Sequence, residues 1–327
     1  MEKCIIYGKL VCSFLQSAEK VNFMKSLVGY TGFVGSNLAA SADFDGLYNS
    51  KNIQDAFGTQ PDVLYYSGVP AAKFIANKYP DRDLEIIKNA AENIRKIVPK
   101  KLVLISTVDV YKEPNGKDED AVMETDGLEA YGRNRLYLEE KVKQICPDYH
   151  IIRLPGLYGK NIKKNFIYDY INYIPALLNE AKMTELSAKQ PQLKEYYSLR
   201  EDGFWAVKAD IDRPALKEIF RQVGFSALNF TDSRGVFQYY NLKYLYENIQ
   251  TAIENNVRVL NIATQPITIS HLHKVLTGED FVNEVTKNVP YYDFRTKHSG
   301  LFGRNDGYIQ SADFVYSDIK QFTEEMI

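Results

Sequence analysis

The sequence has few cysteines, little net charge and no long apolar run, and each shortage excludes a class of protein. Its 327 residues contain three cysteines, Cys4, Cys12 and Cys146, without CxxC spacing, as in reduced cytoplasmic proteins. A formal net charge of -2 provides no basic surface for a nucleic-acid backbone. No apolar run approaches the roughly 20 residues that span a bilayer. We expect a cytoplasmic protein with no disulfide framework, no nucleic-acid partner and no membrane contact.

The four histidines are not spaced like metal ligands. His271 and His273 are two residues apart and would diverge on a helix, and His150 and His298 lie far from them in the sequence. We therefore predict no metal site. The apolar content of 45% suffices for the core of one large domain or of two lobes around a cleft.

Short apolar runs alternate with amphipathic stretches from residue 24 onward. The runs "KSLVGY", "DVLYYSG", "KLVLISTV" and "YHIIRLPG" predict buried strands, and the stretches 35–42, 83–98 and 132–146 predict helices between them. This alternation predicts an α/β fold: a doubly wound, Rossmann-like parallel sheet with helices on both faces.

The rest of the chain is less regular. Residues 165–225 read as helices and loops, whereas a helix around 240–255 and the strand-like run 257–264 indicate a return to the sheet. We assign residues 24–163 and 226–264 to a dinucleotide-binding domain. A smaller, mainly helical substrate lobe is expected over 164–225 and 265–327, and residues 1–23 are expected to be an extension outside the core fold.

The stretch "GYTGFVG" places Gly29, Gly32 and Gly35 directly after a predicted strand and at the start of a predicted helix. Glycines at these positions allow a tight turn, close approach of the backbone to a pyrophosphate, and close packing of the helix, whose N-terminus faces the anion. An ordinary turn between a strand and a helix is the alternative. The position of the motif favours nucleotide binding.

Several segments together resemble the extended short-chain dehydrogenase/reductase family, whose members are NAD(P)-dependent sugar-nucleotide epimerases, dehydratases and reductases. Besides the glycine motif, these are "YYSGVPAA" (65–72), "ISTVDVY" (105–111), "YGRNR" (131–135) and "RLPGLYG" (153–159). The resemblance covers residues 24–160 best. The stretch "VPAAKFIANKYPDRDLEIIKNA" is most similar to the dehydrorhamnose-reductase branch.

The resemblance implies a catalytic role for Tyr131 and Thr107. The tyrosine would act as general acid or base on a sugar oxygen, and the threonine hydroxyl would hold that oxygen. Where this sequence has Arg135, the family has a lysine, which lowers the pKa of the tyrosine and binds the nicotinamide ribose. Arg135 keeps the charge in a longer, planar group, so we predict that it takes over both tasks in altered geometry. A structural, half-buried Tyr131 is the alternative.

The resemblance also implies a set of cofactor-binding residues. Besides Tyr131 and Arg135 these are Gly29, Thr31, Gly32, Phe33, Val34, Gly35, Asn49, Ser50, Ser67, Gly68, Val69, Asn89 and Pro155. NAD-selective sites usually have an acid at the end of the second strand. Asn49 and Ser50 stand at that point, which favours NADP over NAD.

Candidate substrate-binding residues lie before and after the "YGRNR" segment in the sequence. Lys73 follows the "YSGVP" strand end, Asp109 follows Thr107, and Lys163, Lys164 and Asn165 follow the "YG" turn. For the lysines a solvated surface position is the alternative, and Asp109 is equally suited to cap a turn. Val108 stands where sugar-nucleotide dehydratases have an acid, which disfavours dehydration.

Two hypotheses of function follow. The first is an NAD(P)-dependent epimerase or reductase of a nucleotide-activated sugar, in surface polysaccharide synthesis, with a homodimer expected from the family. The second is a non-catalytic NAD(P)-binding sensor or scaffold that lost the active-site lysine. Only the enzyme should lose turnover when Tyr131 is replaced by phenylalanine.

Overall fold

The computed structural model describes residues 23–326, and the expected extension over 1–23 lies outside them except for Phe23. The strands are β1 (Lys25–Val28), β2 (Gly46–Tyr48), β3 (Val63–Tyr66), β4 (Lys101–Thr107), β5 (Tyr149–Leu154), β6 (Gly156–Tyr158), β7 (Leu177–Asn179), β8 (Tyr197–Leu199), β9 (Phe204–Val207), β10 (Val236–Phe237), β11 (Tyr239–Asn241), β12 (Val259–Asn261) and β13 (Ile267–Thr268). The helices are α1 (Phe33–Ser41), α2 (Lys73–Lys78), α3 (Pro80–Ile97), α4 (Ala130–Ile145), α5 (Phe166–Asn172), α6 (Glu180–Lys189), α7 (Arg213–Val223), α8 (Leu245–Glu254), α9 (Ile269–Thr277) and α10 (Ala312–Met326).

Six of these strands form one parallel sheet in the order β12-β5-β4-β3-β1-β2. The predicted α/β class, the parallel sheet and the return of residues 257–264 to that sheet are confirmed. From β1 the chain passes first to β2 on one side and then to β3 on the other. The order of strands therefore reverses at the carboxyl ends of β1 and β3, which is where open α/β sheets form a ligand-binding crevice.

Neighbouring residues along each central strand face opposite layers of core. Leu27, Tyr65 and Val103 pack on the side covered by α1 and α8. Val28 and Leu104 pack on the side covered by α3 and α4. Because both faces are covered, the strands are almost continuously apolar in sequence, as buried parallel strands are.

Within residues 23–326, two of the three further cores are built by the remaining helices and strands. One is built by α5, α9 and α10 around Phe166, Leu272 and Val315. The other is built by α6, α7 and a three-stranded antiparallel sheet in the order β7-β9-β8. We expected only helices and loops over 165–225, so this small sheet was missed. Its strands are three or four residues long, too short to show the alternation that distinguishes a strand from a loop.

None of the helices within residues 23–326 combines the length and the apolar character needed to cross a membrane.

Candidate active site at the carboxyl edge of the sheet

The glycine loop between β1 and α1 has a different local geometry at each of its three glycines. Gly29 adopts φ +91°, a left-handed conformation that side chains rarely allow. A Cβ on Gly35 would lie 2.1 Å from the carbonyl oxygen of Gly29, so this glycine lets α1 pack against the loop. A Cβ on Gly32 would meet one atom alone within 4 Å, at 3.3 Å, so the middle glycine faces open space. These are the three geometries that a dinucleotide pyrophosphate requires of its loop.

The first turn of α1 is suited to bind an anion. The helix begins at Phe33, with Gly32 as its N-cap and Val34 in the first turn. Gly32 has no side chain to cap the helix, and the first turn contains no acidic residue. Backbone N–H groups at such a helix start attract phosphate through hydrogen bonds and the helix dipole. Thr31 is exposed beside them.

The ends of β2 and β3 border this loop on either side. The Gly29 amide donates to the carbonyl of Tyr48, the last residue of β2, at 2.7 Å. Asn49 and Ser50 follow directly, and the Asn49 side-chain oxygen accepts from the Lys51 amide at 2.8 Å. On the β3 side the Ser67 hydroxyl donates to the Val28 carbonyl at 2.9 Å.

Gly68 and Val69 continue the chain from β3 beneath the glycine loop. A Cβ on Gly68 would lie 2.9 Å from the Val28 side chain, and Val69 packs partly buried on the α3 side of the sheet. Sequence reasoning therefore places Ser67, Gly68 and Val69 at the crevice, where the structure also has them.

Tyr131 and Thr107 come together where α4 packs against the end of β4. Gly132 makes this contact possible, because a Cβ there would lie 1.9 Å from the carbonyl oxygen of Asp109. Tyr131 is 7% exposed, and Thr107 lies close enough to lower the pKa of its hydroxyl. Thr107 accepts from the Asp109 amide at 3.2 Å. The two residues predicted to hold one substrate oxygen thus lie next to each other.

Tyr131 is a phenol at neutral pH. Burial raises the pKa of Tyr131, and the charge of Asp109 raises it further. The charge of Arg135, the nearby Thr107 side chain and the charge of Lys73 lower this pKa, but it stays raised above its usual value of 10.0. A protonated tyrosine can donate to a carbonyl oxygen. Its conjugate base requires stabilisation by nearby positive charge.

Arg135 lies buried behind Tyr131, at 5% exposure. Its Nη1 donates to Asp83 at 2.5 Å and its Nη2 donates to the Pro70 carbonyl at 2.6 Å. The guanidinium carbon stands 4.0 Å from the centroid of the Tyr131 ring, a cation–π contact. Asn134 adds a donor to Asp83 at 2.8 Å. The charge expected next to Tyr131 is present, but two guanidinium nitrogens are bound by the protein itself.

Lys73 is the second positive charge that lowers the pKa of Tyr131. Its Nζ donates to Asp109 Oδ1 at 2.8 Å and lies 3.6 Å from Glu129. Burial lowers the pKa of Lys73, but Asp109 raises it, with a net increase, so the side chain is an ammonium. The lysine side chain is 41% exposed and that of Asp109 is 25% exposed. The structure therefore joins Lys73 and Asp109 to the Tyr131–Thr107 pair.

Helix α2 is tied to the start of α4. Asn77 Oδ1 accepts from the Tyr131 amide at 2.8 Å, and Asn77 Nδ2 donates to Glu129 at 2.9 Å. Lys73 and Asn77 are four residues apart, so they project from one face of α2. Sequence analysis missed Asn77, together with Asp83 and Gly132. Gly132 in the predicted helix 132–146 was the one signal visible in the sequence, because glycine weakens a helix unless close packing requires it.

The other candidates are more scattered. Asn89 is exposed on α3, and Pro155 joins β5 to β6. Lys163 is exposed, whereas Lys164 Nζ donates to the Ala71 carbonyl at 3.2 Å, two residues from Lys73. Asn165 caps α5 through its side-chain oxygen and donates to the Leu157 carbonyl at 2.9 Å. Its amide is therefore engaged in the turn.

Over residues 23–326 no group of three or more His, Cys, Asp or Glu side chains is arranged to hold a metal ion.

Solved structures with the same fold cover almost the whole chain. A dTDP-4-dehydrorhamnose reductase from Bacillus anthracis in complex with NADP is 17% identical, with a TM-score of 0.60 over 92% of this chain and 98% of that one. The reductase from Yersinia enterocolitica is 14% identical, with a TM-score of 0.61 over 93% and 100%. A UDP-glucose 4-epimerase with UDP-glucose from Thermotoga maritima is 15% identical, with a TM-score of 0.58 over 92% and 98%. At these identities the likeness shows the fold.

A family model gives the more specific result. The model of the NAD dependent epimerase/dehydratase family matches residues 45–194, which include Lys73, Thr107, Tyr131 and Arg135. No curated protein matches the chain in sequence. The resemblance inferred from the sequence motifs is confirmed, since residues 45–194 match the model of this family.

Proposed function

We propose that this protein is an NAD(P)-dependent oxidoreductase of a nucleotide-activated sugar and that it reduces a sugar ketone. The observation that supports this most directly is the protonated Tyr131 beside Thr107, at the same sheet edge as the glycine loop. Reduction of a ketone consumes one proton at the carbonyl oxygen, and a tyrosine with a raised pKa holds that proton at neutral pH. Epimerisation of the same class of substrate is the related reaction that the family allows.

The dinucleotide would bind at the crevice between β1 and β3. Gly29, Gly32 and Gly35 would hold its pyrophosphate against the first turn of α1. Asn49 and Ser50 would face the adenosine ribose at the end of β2, where neither side chain is acidic, and we propose NADP as the preferred form. The nicotinamide would supply or accept the hydride at the substrate carbon.

Tyr131 and Thr107 would act on the substrate oxygen. The Thr107 hydroxyl would orient that oxygen by a hydrogen bond, and the Tyr131 hydroxyl would donate its proton as the oxygen gains charge. The 7% exposure of Tyr131 keeps water away from the transfer. Lys163 and Lys164 would face the substrate diphosphate from the loop after β6.

The first experiment is a calorimetric titration of the nucleotide-stripped protein with NADPH and NADH under identical conditions. We expect micromolar binding, roughly -8 kcal/mol, with NADPH the tighter of the two. A Gly35→Ala variant should lose this binding, because its new methyl group has no space beside Gly29. Failure of both dinucleotides to bind near millimolar concentration would contradict the proposal.

Turnover is tested next with a panel of 4-keto nucleotide sugars and NADPH. Tyr131→Phe removes the proton donor and should reduce kcat by about 10² to 10⁴ while dinucleotide binding stays unchanged. The variant Tyr137→Phe, six residues further along α4, is the matched control.

One observation favours a non-catalytic dinucleotide-binding protein as the second candidate. Two nitrogens of Arg135 are bound to Asp83 and Pro70, so its freedom to hold a ribose is reduced. This candidate predicts dinucleotide binding without turnover of any sugar in the panel.

A further inference from the structure

We infer that Lys73, held in place by Asp109, supplies the ammonium that stabilises the Tyr131 phenolate, a task that Arg135 performs only in part. Lys73 would be a positioning residue, acting through Tyr131. This inference rests on the proposed function, since the phenolate forms when Tyr131 donates its proton.

Arg135 donates hydrogen bonds to Asp83, to the Pro70 carbonyl and to the Tyr131 carbonyl, and none of these reaches the tyrosine hydroxyl. Its guanidinium lies over the ring face at 4.0 Å, and its Nη1 and Nη2 are bound to Asp83 and Pro70. The Asp83 carboxylate is 6% exposed and offsets most of the arginine charge at short range. Arg135 thus places its positive charge over the face of the Tyr131 ring and donates no hydrogen bond to the Tyr131 hydroxyl.

Lys73 is connected to the surroundings of Tyr131 through Asp109 and Thr107. Its Nζ is bound to Asp109 Oδ1 at 2.8 Å, and Asp109 Oδ2 lies 3.4 Å from the Thr107 hydroxyl. Thr107 is a polar neighbour that lowers the pKa of Tyr131. One turn along α2, Asn77 fixes the helix to the Tyr131 amide at 2.8 Å. Lys73 is therefore held near the tyrosine by two independent connections.

The charged groups around Tyr131 come from three elements. Arg135 lies on α4, Asp109 follows β4, and Lys73 lies on α2, with Glu129 3.6 Å from the lysine at the start of α4. Proton donation leaves a negative oxygen beside the negative Asp109. The Lys73 ammonium, bound to that same carboxylate, is the group that offsets this repulsion. The proton passes from the Tyr131 oxygen to the substrate oxygen, and Lys73 keeps its own.

The test measures the acidity of Tyr131 without substrate. Tyrosine is replaced throughout by 3-fluorotyrosine, whose phenol is more acidic, and each ring is followed by fluorine NMR against pH. The Tyr131 resonance is assigned by its loss in Tyr131→Phe. The proteins compared are the original, Lys73→Ala, Lys73→Arg and Lys78→Ala; Lys78 is an exposed lysine at the other end of α2.

Lys73→Ala should raise the Tyr131 pKa by roughly half a unit to one unit, because one nearby positive charge is lost. Lys73→Arg should restore most of the shift, and Lys78→Ala should leave the pKa as it was. With an active substrate, the Lys73→Ala protein should lose about tenfold in kcat, and the alkaline limb of its pH profile should move to higher pH.

An unchanged Tyr131 pKa in Lys73→Ala would overturn the inference even if the enzyme is active and depends on Tyr131. An equal shift in Lys78→Ala would also overturn it, since the effect would then be general charge loss. If the pKa shifts as expected but no nucleotide sugar is turned over, the charge coupling stands and the proposed function fails.

Discussion

The two positive charges beside Tyr131 lie in opposite environments. Behind the ring, Arg135, Asp83 and Asn134 form a buried cluster in which the charged groups are paired. Nearby, Lys73 and Asp109 form an ion pair whose side chains are 41% and 25% exposed. A buried pair is rigid and strongly destabilising to break, whereas an exposed pair contributes little stability and is free to respond to a ligand. We therefore expect the buried cluster around Arg135 to contribute mainly to stability, and the exposed Lys73–Asp109 pair to act in the proposed reaction.

The largest effect should come from breaking the buried cluster. Asp83→Asn leaves the Arg135 charge without its partner in a dry environment and should lower the free energy of unfolding by about 3–5 kcal/mol. Glu92→Gln on the same helix is the control, because its pair with Arg95 is exposed and should change stability by roughly 0.5 kcal/mol or less. Urea denaturation measures both. Equal changes in the two variants would remove the distinction between the clusters.

The next largest effect should come from the contact between Gly132 of α4 and the segment that follows β4. Gly132→Ala places a methyl group 1.9 Å from the Asp109 carbonyl and must push α4 away. We expect a loss of roughly 1–3 kcal/mol in stability and loss of turnover, because Tyr131 leaves Thr107. Arg133→Ala, at the exposed neighbouring position, should do neither. A Gly132→Ala protein with full stability would show that the helix is not held at this distance.

An intermediate effect is expected from Asp169 in α5, a carboxyl group whose pKa is raised by burial alone. Burial raises the pKa of Asp169 from 3.8 to about 7. The folded protein therefore holds this proton more tightly than the unfolded chain, and stability falls as pH rises from about 4 to about 7. Asp169→Asn should remove this loss and stabilise the protein at pH 8 by roughly 1–2 kcal/mol.

Urea unfolding at pH 5 and pH 8 checks whether the free energy of unfolding falls as the pH rises. The exposed Asp126→Asn serves as the control, since it should not alter the difference between the two pH values. A stability difference in Asp169→Asn as large as that of the original protein would contradict the assignment.

The smallest effect on stability belongs to the exposed pair. Lys73→Ala should change the free energy of unfolding by less than about 1 kcal/mol, although it is expected to alter the acidity of Tyr131 and the rate. Thermal unfolding followed by circular dichroism measures this. A loss as large as that of Asp83→Asn would mean that Lys73 is a structural residue.

Sequence patterns were sufficient for the sheet and for the residues that line it. The four predicted strands and three predicted helices of the first 160 residues are confirmed, because buried strands and amphipathic helices leave local periodicity in the sequence. The glycine loop was equally visible, since each glycine meets a local demand of the turn between β1 and α1. The short strands β7, β8 and β9 left no such pattern.

The fold class and the glycine loop follow from sequence patterns, and the family motifs predict a joint role for Tyr131 and Thr107. How Arg135 and Lys73 are paired depends on tertiary packing. Asp83 is 52 residues from Arg135 and Asp109 is 36 residues from Lys73. No local pattern links residues so far apart, because their contact depends on how α2, α3 and α4 pack across the sheet.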